Sequence, residues 1–196
     1  MKKTLLLTFL LLLFSNIYSQ NKLSIELKDG TVLKGLGRIK VDETILFKKT
    51  EDAEKEIYNY KTVKKLVIYS DTSQQEYEYK VVEDSGGVGS IKLIEILKTG
   101  KVILYQDYAS GVTYGPNMSG GYGFSSYSKT TYYISKSGSD VVTNLRIGNT
   151  YSKRFKKIAK RYFSDCPDLL EKINSKFFKR YGINAVVEYY NKKCTD

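Results

Sequence analysis

Residues 22–39 read KLSIELKDGTVLKGLGRI, and this stretch decides the fold class. Apolar residues occupy every second position from Leu23 to Leu27, which is the period of a strand with one buried face. An Asp-Gly pair at positions 29–30 is a preferred two-residue hairpin turn, and a second apolar run begins at Val32. The stretch therefore predicts two antiparallel strands joined by a tight turn.

The same kind of pattern recurs along most of the chain. Further strand-like segments are ETILFKK (43–49), IYNYKTVKKLVIYS (57–70), QEYEYKVVE (75–83), IKLIEILKTGKVILYQDY (91–108) and TTYYISKSGSDVVTNLRI (130–147). Thr99-Gly100 and Ser137-Gly138 supply additional turns within the last two segments. We expect about eight short strands in antiparallel hairpins, with one face of the sheet buried.

The last quarter of the chain has the period of a helix. In YSKRFKKIAKRYF (151–163) the apolar residues recur at positions i, i+4, i+7 and i+8, as on one side of an amphipathic helix. SDCPDLLEKI (164–173) begins a second helix, with Pro167 in its first turn, and INAVVEYYNKKC (183–194) predicts a third. The predicted class is α+β, with antiparallel strands covered by two or three C-terminal helices.

Residues 23–69 resemble the small barrels of SH3-like and Sm-like proteins. The likeness is carried by LKDGTVLKG (27–35), ILFKK (45–49), Tyr60, Val63 and Leu66. The resemblance implies a small barrel at the start of the fold and no particular function.

A Gly-rich break, DSGGVGS (84–90), divides the strand-rich part of the chain. It predicts a linker between an N-terminal β region (21–83) and a second β region (91–148), which a helical region (149–196) follows. A strand-like run comes after this Gly-Gly-x-Gly, whereas a phosphate loop leads into a helix, so nucleotide binding is not indicated. Whether the two β regions form one sheet or two domains stays open at this point.

The first twenty residues, MKKTLLLTFLLLLFSNIYSQ, have the three-part pattern of a secretory signal peptide. Lys2 and Lys3 precede an apolar run from Thr4 to Phe14, which is too short for the hydrocarbon core of about 30 Å. We therefore predict a signal peptide over residues 1–20, export to the periplasm or beyond, and no transmembrane segment in the mature chain.

The whole chain also resembles small exported proteins of Gram-negative bacteria. This likeness is carried by the Tyr-Ser-Gln that ends the signal and by the C-terminal block YFSDCPDLL…VVEYYNKKC (162–194). It implies a location in the cell envelope and no particular activity.

The chain is strongly basic, with 32 Lys and Arg against 21 Asp and Glu, a formal charge of +11. Removal of residues 1–20 takes away Lys2 and Lys3 and no acidic residue, so the mature charge is +9. For an exported protein the expected anionic partners are lipid headgroups, acidic glycans and acidic proteins, and nucleic acid is not expected. The alternative is that the charge serves solubility alone.

The chain has two cysteines, Cys166 and Cys194. In an exported protein such a pair favours a disulfide bond. The bond would close a loop of about 29 residues and stabilise the fold by roughly 3 to 4 kcal/mol. The alternative is a pair of free thiols.

Catalytic motifs are absent from the sequence. The chain has no His, which excludes Ser-His-Asp and Cys-His catalysis and the common His-rich metal sites. Glu76 and Glu78 are a carboxylate pair of the kind that glycosidases use, but alternating strand positions facing solvent explain them as well. TEDAEKE (50–56) lacks the Gly and the spacing of an EF-hand loop. We predict no catalytic residue, metal or cofactor, and no enzymatic activity.

Residues 109–128, ASGVTYGPNMSGGYGFSSYS, are twenty positions without a charged side chain. A hairpin needs two to five connecting residues, so the stretch predicts a long loop inserted at one end of the sheet. Ser, Gly and Tyr are the residue types of binding loops, although a tolerated insertion is the alternative. The candidate binding residues are Tyr108, Tyr114, Tyr122, Phe124 and Tyr127, with Tyr132 and Tyr133 at the base of the loop.

A basic face of the first predicted helix is the second candidate site. Ten basic and three acidic residues lie between positions 151 and 181. A helix face of this kind attracts anionic lipid or glycan, although solvated charge is the alternative. Its residues are Lys153, Arg154, Lys157, Lys160 and Arg161, with Lys156 beside them.

The sequence favours an exported, non-enzymatic interaction protein of the cell envelope. We expect it to bind a glycan, an anionic envelope component or a protein through the neutral Tyr/Gly/Ser stretch. The alternatives are a structural subunit of a larger envelope assembly and a carboxylate-based glycoside hydrolase.

Overall fold

The computed structural model of the chain describes residues 21–83, 89–116, 120–145, 150 and 152–194. The signal peptide predicted over residues 1–20 lies outside this range. In the described part of the chain, no helix has both the length and the apolar character needed to cross a membrane.

The described residues form ten strands and three α-helices. The strands are β1 (Asn21–Leu27), β2 (Val32–Ile39), β3 (Ile45–Lys48), β4 (Glu56–Tyr58), β5 (Val63–Tyr69), β6 (Gln74–Glu83), β7 (Gly89–Lys98), β8 (Val102–Pro116), β9 (Tyr122–Lys136) and β10 (Val141–Asn144). The helices are α1 (Lys153–Tyr162), α2 (Pro167–Asn174) and α3 (Gly182–Lys193), with a 3₁₀ turn at Phe177–Lys179. The predicted α+β class is confirmed, with ten strands where we expected about eight.

The first five strands lie in the order β5-β1-β2-β3-β4. The Asp-Gly turn joins β1 to β2 as predicted, with Gly30 at φ 89°, a conformation that favours glycine. The Asp29 carboxylate accepts a hydrogen bond from the Thr31 N–H at 2.8 Å, which stabilises the turn. The apolar core of this part consists of Leu23, Ile25, Ile45, Phe47, Val63, Leu66, Ile68 and Leu93.

Glu43, in the turn between β2 and β3, ties the first part of the sheet to β6 and β7. Its backbone has φ 62°, which is uncommon for a residue other than glycine. Its carbonyl accepts a hydrogen bond from the Tyr79 hydroxyl at 2.5 Å, and its carboxylate accepts one from the Leu93 N–H at 2.8 Å. These two contacts hold the turn in its unfavourable conformation.

Strands β6–β10 close into a small barrel. Consecutive strands pair antiparallel, and β10 returns to pair parallel with β6, Val141 opposite Val81 and Val142 opposite Val82. The barrel interior contains Val82, Ile94, Tyr105, Tyr133 and Val142. The chain thus contains a small barrel, and its closing pair is β6 and β10. Among the described residues, β1–β5 pair in a row without a pairing that closes them.

The Gly-rich break predicted as a linker joins two strands that pair with each other. Its residues 84–88 lie outside the described range, and Gly89 and Ser90 belong to β7. On either side of it, β6 and β7 pair from Glu76 opposite Ile96 to Glu83 opposite Gly89. All ten strands belong to one sheet, because β5 and β6 also pair.

The neutral stretch 109–128 is not the long loop that we predicted. Residues 109–116 continue β8 and residues 122–128 begin β9, in continuous register as far as Pro116 opposite Tyr122. Residues 117–119 lie outside the described range. Strand pairing depends on backbone hydrogen bonds, so a ribbon can form without the alternation of apolar and polar residues. We call residues 109–116 and 122–128 the distal hairpin.

The three helices cover one outer face of the barrel. Leu104 and Ile134 of the sheet pack against Phe155 of α1, Leu169 of α2 and Val186 of α3. These five side chains are fully buried, so the predicted helical cover of the sheet is present.

The predicted disulfide bond is present between Cys166 and Cys194. Their Cα atoms are 5.6 Å apart. Cys166 precedes the first residue of α2, and Cys194 follows the last residue of α3. The bond therefore joins the start of the second helix to the end of the third.

Candidate functional site

The distal hairpin presents two chemically different faces. Residues that lie opposite each other on the two strands project to the same side, as Tyr114 and Phe124 do, and we call their side the aromatic face. It carries Tyr108, Val112, Tyr114, Pro116, Tyr122 and Phe124. The opposite face carries Ala109, Gly111, Thr113, Gly115, Gly123, Ser125 and Tyr127. The apolar surface of the hairpin is therefore concentrated on one side.

Three rings of the aromatic face form a cluster near the end of the hairpin. The Tyr114 ring stacks on the Tyr122 ring at a centroid distance of 5.9 Å and contacts the Phe124 ring at 5.0 Å. Tyr114 is 65% exposed, Tyr122 71% and Phe124 80%. The cluster is ordered by its own contacts, yet most of its surface remains in water.

Tyr127, the fifth candidate of the predicted loop, lies on the opposite face. Its ring covers the backbone of Gly111, and a methyl group added at Gly111 would lie 2.9 Å from the ring. Gly111 thus permits this close approach, and the five aromatic candidates do not share one surface.

Both edges of the distal hairpin lack a neighbouring strand among the described residues. Pairing of β7 with β8 reaches Gln106, and pairing of β10 with β9 reaches Tyr133. Leu145 adds one further hydrogen bond, from its N–H to the Tyr132 carbonyl at 3.0 Å. Beyond these points the hairpin offers free backbone N–H and C=O groups, the usual template for strand addition.

The base of the hairpin is anchored to the barrel. The Asp107 carboxylate pairs with the Lys92 ammonium at 2.7 Å, where β8 separates from β7. Tyr132 is half-buried against the helix-covered core, and Tyr133 is buried inside the barrel. The two tyrosines expected at the base therefore have packing roles.

The predicted basic face of α1 is exposed. Its five candidates are exposed, and their side chains form no hydrogen bond or ion pair with other described residues: Lys153, Arg154, Lys157, Lys160 and Arg161. Lys156 differs, because its ammonium donates a hydrogen bond to the Asn174 carbonyl at 2.9 Å. On the other side of the helix, Phe155 and Ala159 are buried against the barrel.

The helix dipole of α1 affects the cations at its two ends differently. Lys153 and Arg154 lie in the first turn, where the helix dipole disfavours cations, whereas Lys160 and Arg161 lie in the last turn, where it favours them. Among the described residues, no hydrogen bond, ion pair or ring contact joins this face to the distal hairpin. The two sequence-predicted sites are separate surfaces.

The carboxylate pair in β6 is engaged in ion pairs. Glu76 lies 2.5 Å from the Lys65 ammonium, and Glu78 lies 3.1 Å from the Lys80 ammonium. Each carboxylate thus has a separate cationic partner. Over the part of the chain that the structure describes, no three His, Cys, Asp or Glu side chains come together as a metal site would require.

Sequence reasoning missed a cleft beside the mouth of the barrel. β6 pairs with β5 up to Tyr77 and with β10 from Val81, so its two neighbours diverge around residues 78–80. A cleft of about 660 Å³ lies at this fork. In the sequence, Glu78 and Lys80 alternate with Tyr77 and Tyr79, a pattern that by itself is typical of a strand with one solvated face.

The floor of the cleft is a polar network at the barrel mouth. The Lys80 side chain is 11% exposed, pairs with Glu78 and donates a hydrogen bond to the Ser139 carbonyl at 3.0 Å. The hydroxyl of the buried Tyr105 donates to Glu78 at 3.2 Å. Burial, with a smaller contribution from the nearby Glu78 charge, raises the pKa of Tyr105. The Tyr105 hydroxyl therefore stays protonated and holds Glu78 in place.

Comparison with protein-family models, curated proteins and solved structures found no match to this chain. The surfaces described above are therefore the basis for inferring function.

Proposed function

We propose that the chain is an exported, non-enzymatic interaction protein that binds another polypeptide through the distal hairpin. The observation that carries the proposal is a two-stranded ribbon with two free edges, an exposed aromatic face and no charged residue at positions 109–128. A ribbon of two strands is only marginally stable alone in water, so covering it with a partner has a clear energetic benefit.

The free edges favour a polypeptide partner over other classes. Natural proteins usually protect exposed strand edges with Lys, with Pro or with bulges. Here the edge residues of the distal hairpin are neutral, and Pro116 stands at the end of β8. Another strand would satisfy the free N–H and C=O groups directly, which is the recognition mode of strand addition.

The aromatic face adds contact area to the edges. An aromatic side chain buries about 150–250 Å² when it is covered, so four such side chains that are about two-thirds exposed offer roughly 500 Å². The four are Tyr108, Tyr114, Tyr122 and Phe124. Tyr is also enriched among the residues that dominate binding energy at interfaces.

Export is supported by the N-terminal pattern and by the disulfide bond. A disulfide is typical of an oxidising compartment such as the periplasm. In this location the basic face of α1 would keep the protein close to anionic lipid headgroups, at up to about 1 kcal/mol per cation near the surface.

The test compares two faces of the same hairpin in the mature chain. We expect the triple variant Tyr114→Ser, Tyr122→Ser and Phe124→Ser to lose binding to isolated envelope fractions, with the melting temperature nearly unchanged. Amide hydrogen exchange of residues 105–133 is the readout, because bound partner should protect this segment of the unaltered chain. Tyr127→Ser, on the opposite face, is the matched control and should retain protection.

Unchanged protection in the triple variant would contradict the proposal. The alternative, a structural subunit of a larger assembly, predicts a partner of fixed stoichiometry that remains bound after the distal hairpin is removed.

A further inference from the structure

The cleft at the fork of β6 is separate from the distal hairpin and has the features of a ligand site. Its volume of about 660 Å³ falls within the range of small-molecule sites, about 300–1,000 Å³. Its walls come from both parts of the sheet: β5 and the turn before it on one side, and the turn between β9 and β10 on the other. The cleft therefore exists only when the whole sheet is assembled.

The polar side chains at the floor of the cleft already have partners within the protein. Lys80, Glu78 and Tyr105 hydrogen-bond or ion-pair with one another and with the Ser139 carbonyl. The Lys80 ammonium also lies 5.8 Å from the centre of the Tyr105 ring. The Lys80 side chain is 11% exposed and the Glu78 side chain 26%, so this partnered and mostly buried pair favours a fixed shape at the floor of the cleft.

The rim of the cleft, in contrast, carries polar groups without partners. The side chains of Lys28, Tyr60, Ser137 and Asp140 line the cleft and form no hydrogen bond or ion pair with other described residues. Lysine donates, a carboxylate accepts, and the two hydroxyls do both. The rim thus offers donors and acceptors at once, which is the complement of a ligand rich in hydroxyl groups.

An aromatic ring stands at the same rim. Tyr60 is 41% exposed, and its ring meets the Tyr79 ring edge-on at 6.3 Å. Tyr79 is itself held by its hydrogen bond to the Glu43 carbonyl. Tyr60 therefore offers an exposed ring surface that lines the same cleft as the unpartnered polar groups.

The charged side chains that line the cleft indicate which kind of hydroxyl-rich ligand it would bind. Three lysines line it, Lys28, Lys64 and Lys80, against two acids, Glu78 and Asp140. Lys64 pairs with Glu26 at 2.6 Å and Lys80 with Glu78, so among the described residues Lys28 is the lining cation, and Asp140 the lining carboxylate, without a counter-ion. A ligand carboxylate would supply the counter-ion of Lys28, and ligand hydroxyl groups would donate hydrogen bonds to Asp140.

From these observations we propose that the cleft binds a short acidic saccharide. Its carboxylate pairs with Lys28, its hydroxyls exchange hydrogen bonds with Ser137 and Asp140, and one sugar ring packs on Tyr60. This binding is non-covalent and independent of the polypeptide partner of the distal hairpin.

Isothermal titration calorimetry on the mature, disulfide-bonded chain tests the proposal. The probes are galacturonic acid oligomers of two to four units, with galactose oligomers of the same lengths as neutral controls. We expect the acidic oligomers to bind at least tenfold more tightly than the neutral ones. Tyr60→Ala and Lys28→Ala should each weaken binding about tenfold, whereas Lys34→Ala, at an exposed lysine of β2 outside the cleft, should not.

A second variant distinguishes binding in the cleft from binding to the basic face of α1. Lys153→Ala, Lys157→Ala and Arg161→Ala together remove cations of α1 and should leave affinity within about twofold. Absence of binding by acidic oligomers would overturn the proposal, and so would binding that only the α1 variant weakens. Because Lys28 is exposed, Lys28→Ala keeps the test valid even if Tyr60→Ala lowers the melting temperature.

Discussion

At the scale of single residues, Asn191 shows how one side chain fixes a helix to the barrel. Its amide oxygen accepts a hydrogen bond from the Val102 N–H at 2.9 Å, and its amide nitrogen donates to the Val102 carbonyl at 2.8 Å. The side chain thus pairs with the start of β8 as a neighbouring strand would. Gly100 makes room for it, because a methyl group there would lie 2.4 Å from the Asn191 amide.

Replacement of Asn191 by Ala should destabilise the protein by about 1–3 kcal/mol. The reason is that the N–H and C=O of the buried Val102 lose their partner, and an unsatisfied buried polar group costs about that much. Urea unfolding followed by circular dichroism measures the change. Asn174→Ala, at the exposed end of α2, is the matched control and should cost no more than about 0.5 kcal/mol. Equal losses in the two variants would contradict this account of Asn191.

At the scale of elements, β8 and β9 are each divided into two parts with different roles. Near the barrel, Val102, Leu104 and Ile134 are fully buried and belong to the core beneath the helices. Farther out, the same strands form the distal hairpin, which has no buried residue among those described. The outer part should therefore contribute recognition surface and little stability.

Removal of the distal hairpin should leave the fold intact. Replacing residues 110–128 by Asn-Gly keeps Ala109 opposite Lys129 and supplies a favoured two-residue turn. We expect the free energy of unfolding to change by less than about 0.5 kcal/mol, as for surface changes in general. Leu104→Ala, in the buried part of the same strand, should cost about 2–5 kcal/mol in the same urea titration. A loss of that size on hairpin removal would show that the hairpin supports the core.

At the scale of the whole molecule, tyrosines join the parts of the fold. Tyr77 and Tyr79 of β6 pack against the core of β1–β5, and Tyr190 of α3 lies in the core beneath the helices. Burial raises the pKa of each of these three phenols from its ordinary value near 10 to about 12. Burial is the largest cause, and nearby carboxylates contribute a smaller part of the same shifts: Glu95 for Tyr77, Glu43 for Tyr79 and Asp165 for Tyr190.

These pKa shifts predict that the protein loses stability over a defined range of alkaline pH. The pKa values are higher in the folded than in the unfolded state, so the unfolded chain loses its phenolic protons first as the pH rises. The stability due to these tyrosines is fully present below pH 10 and is lost between about pH 10 and 12. Urea unfolding at a series of pH values from 9 to about 12, with tyrosinate absorbance recorded in parallel, measures the loss. A free energy of unfolding that stays constant across this range would contradict the assignment.

Local patterns in the sequence were sufficient for much of the architecture. Alternation of apolar residues placed β1, β2 and β6, the helical period placed α1, and the count of cysteines predicted the disulfide that the structure contains. These features could be predicted because the conformation of a segment and the face that it buries depend on neighbouring residues. The sequence also singled out an uncharged segment rich in Gly and Ser, whose aromatic side chains the structure leaves exposed: Tyr108, Tyr114, Tyr122, Phe124 and Tyr127.

Tertiary structure decided how distant segments meet. The neutral stretch forms a paired ribbon because its backbone groups hydrogen-bond across the hairpin, in a register that continues from the barrel. A segment of Gly, Ser and Tyr gives no local sequence signal for this pairing. The parallel pairing of β10 with β6 closes the barrel, turns Lys80 towards Tyr105 and creates the cleft. Sequence periodicity assigned Glu78, two positions before Lys80, to a solvent-facing position because periodicity reports only the alternation of faces along one strand. The surroundings of each face depend on which strands and turns lie beside it.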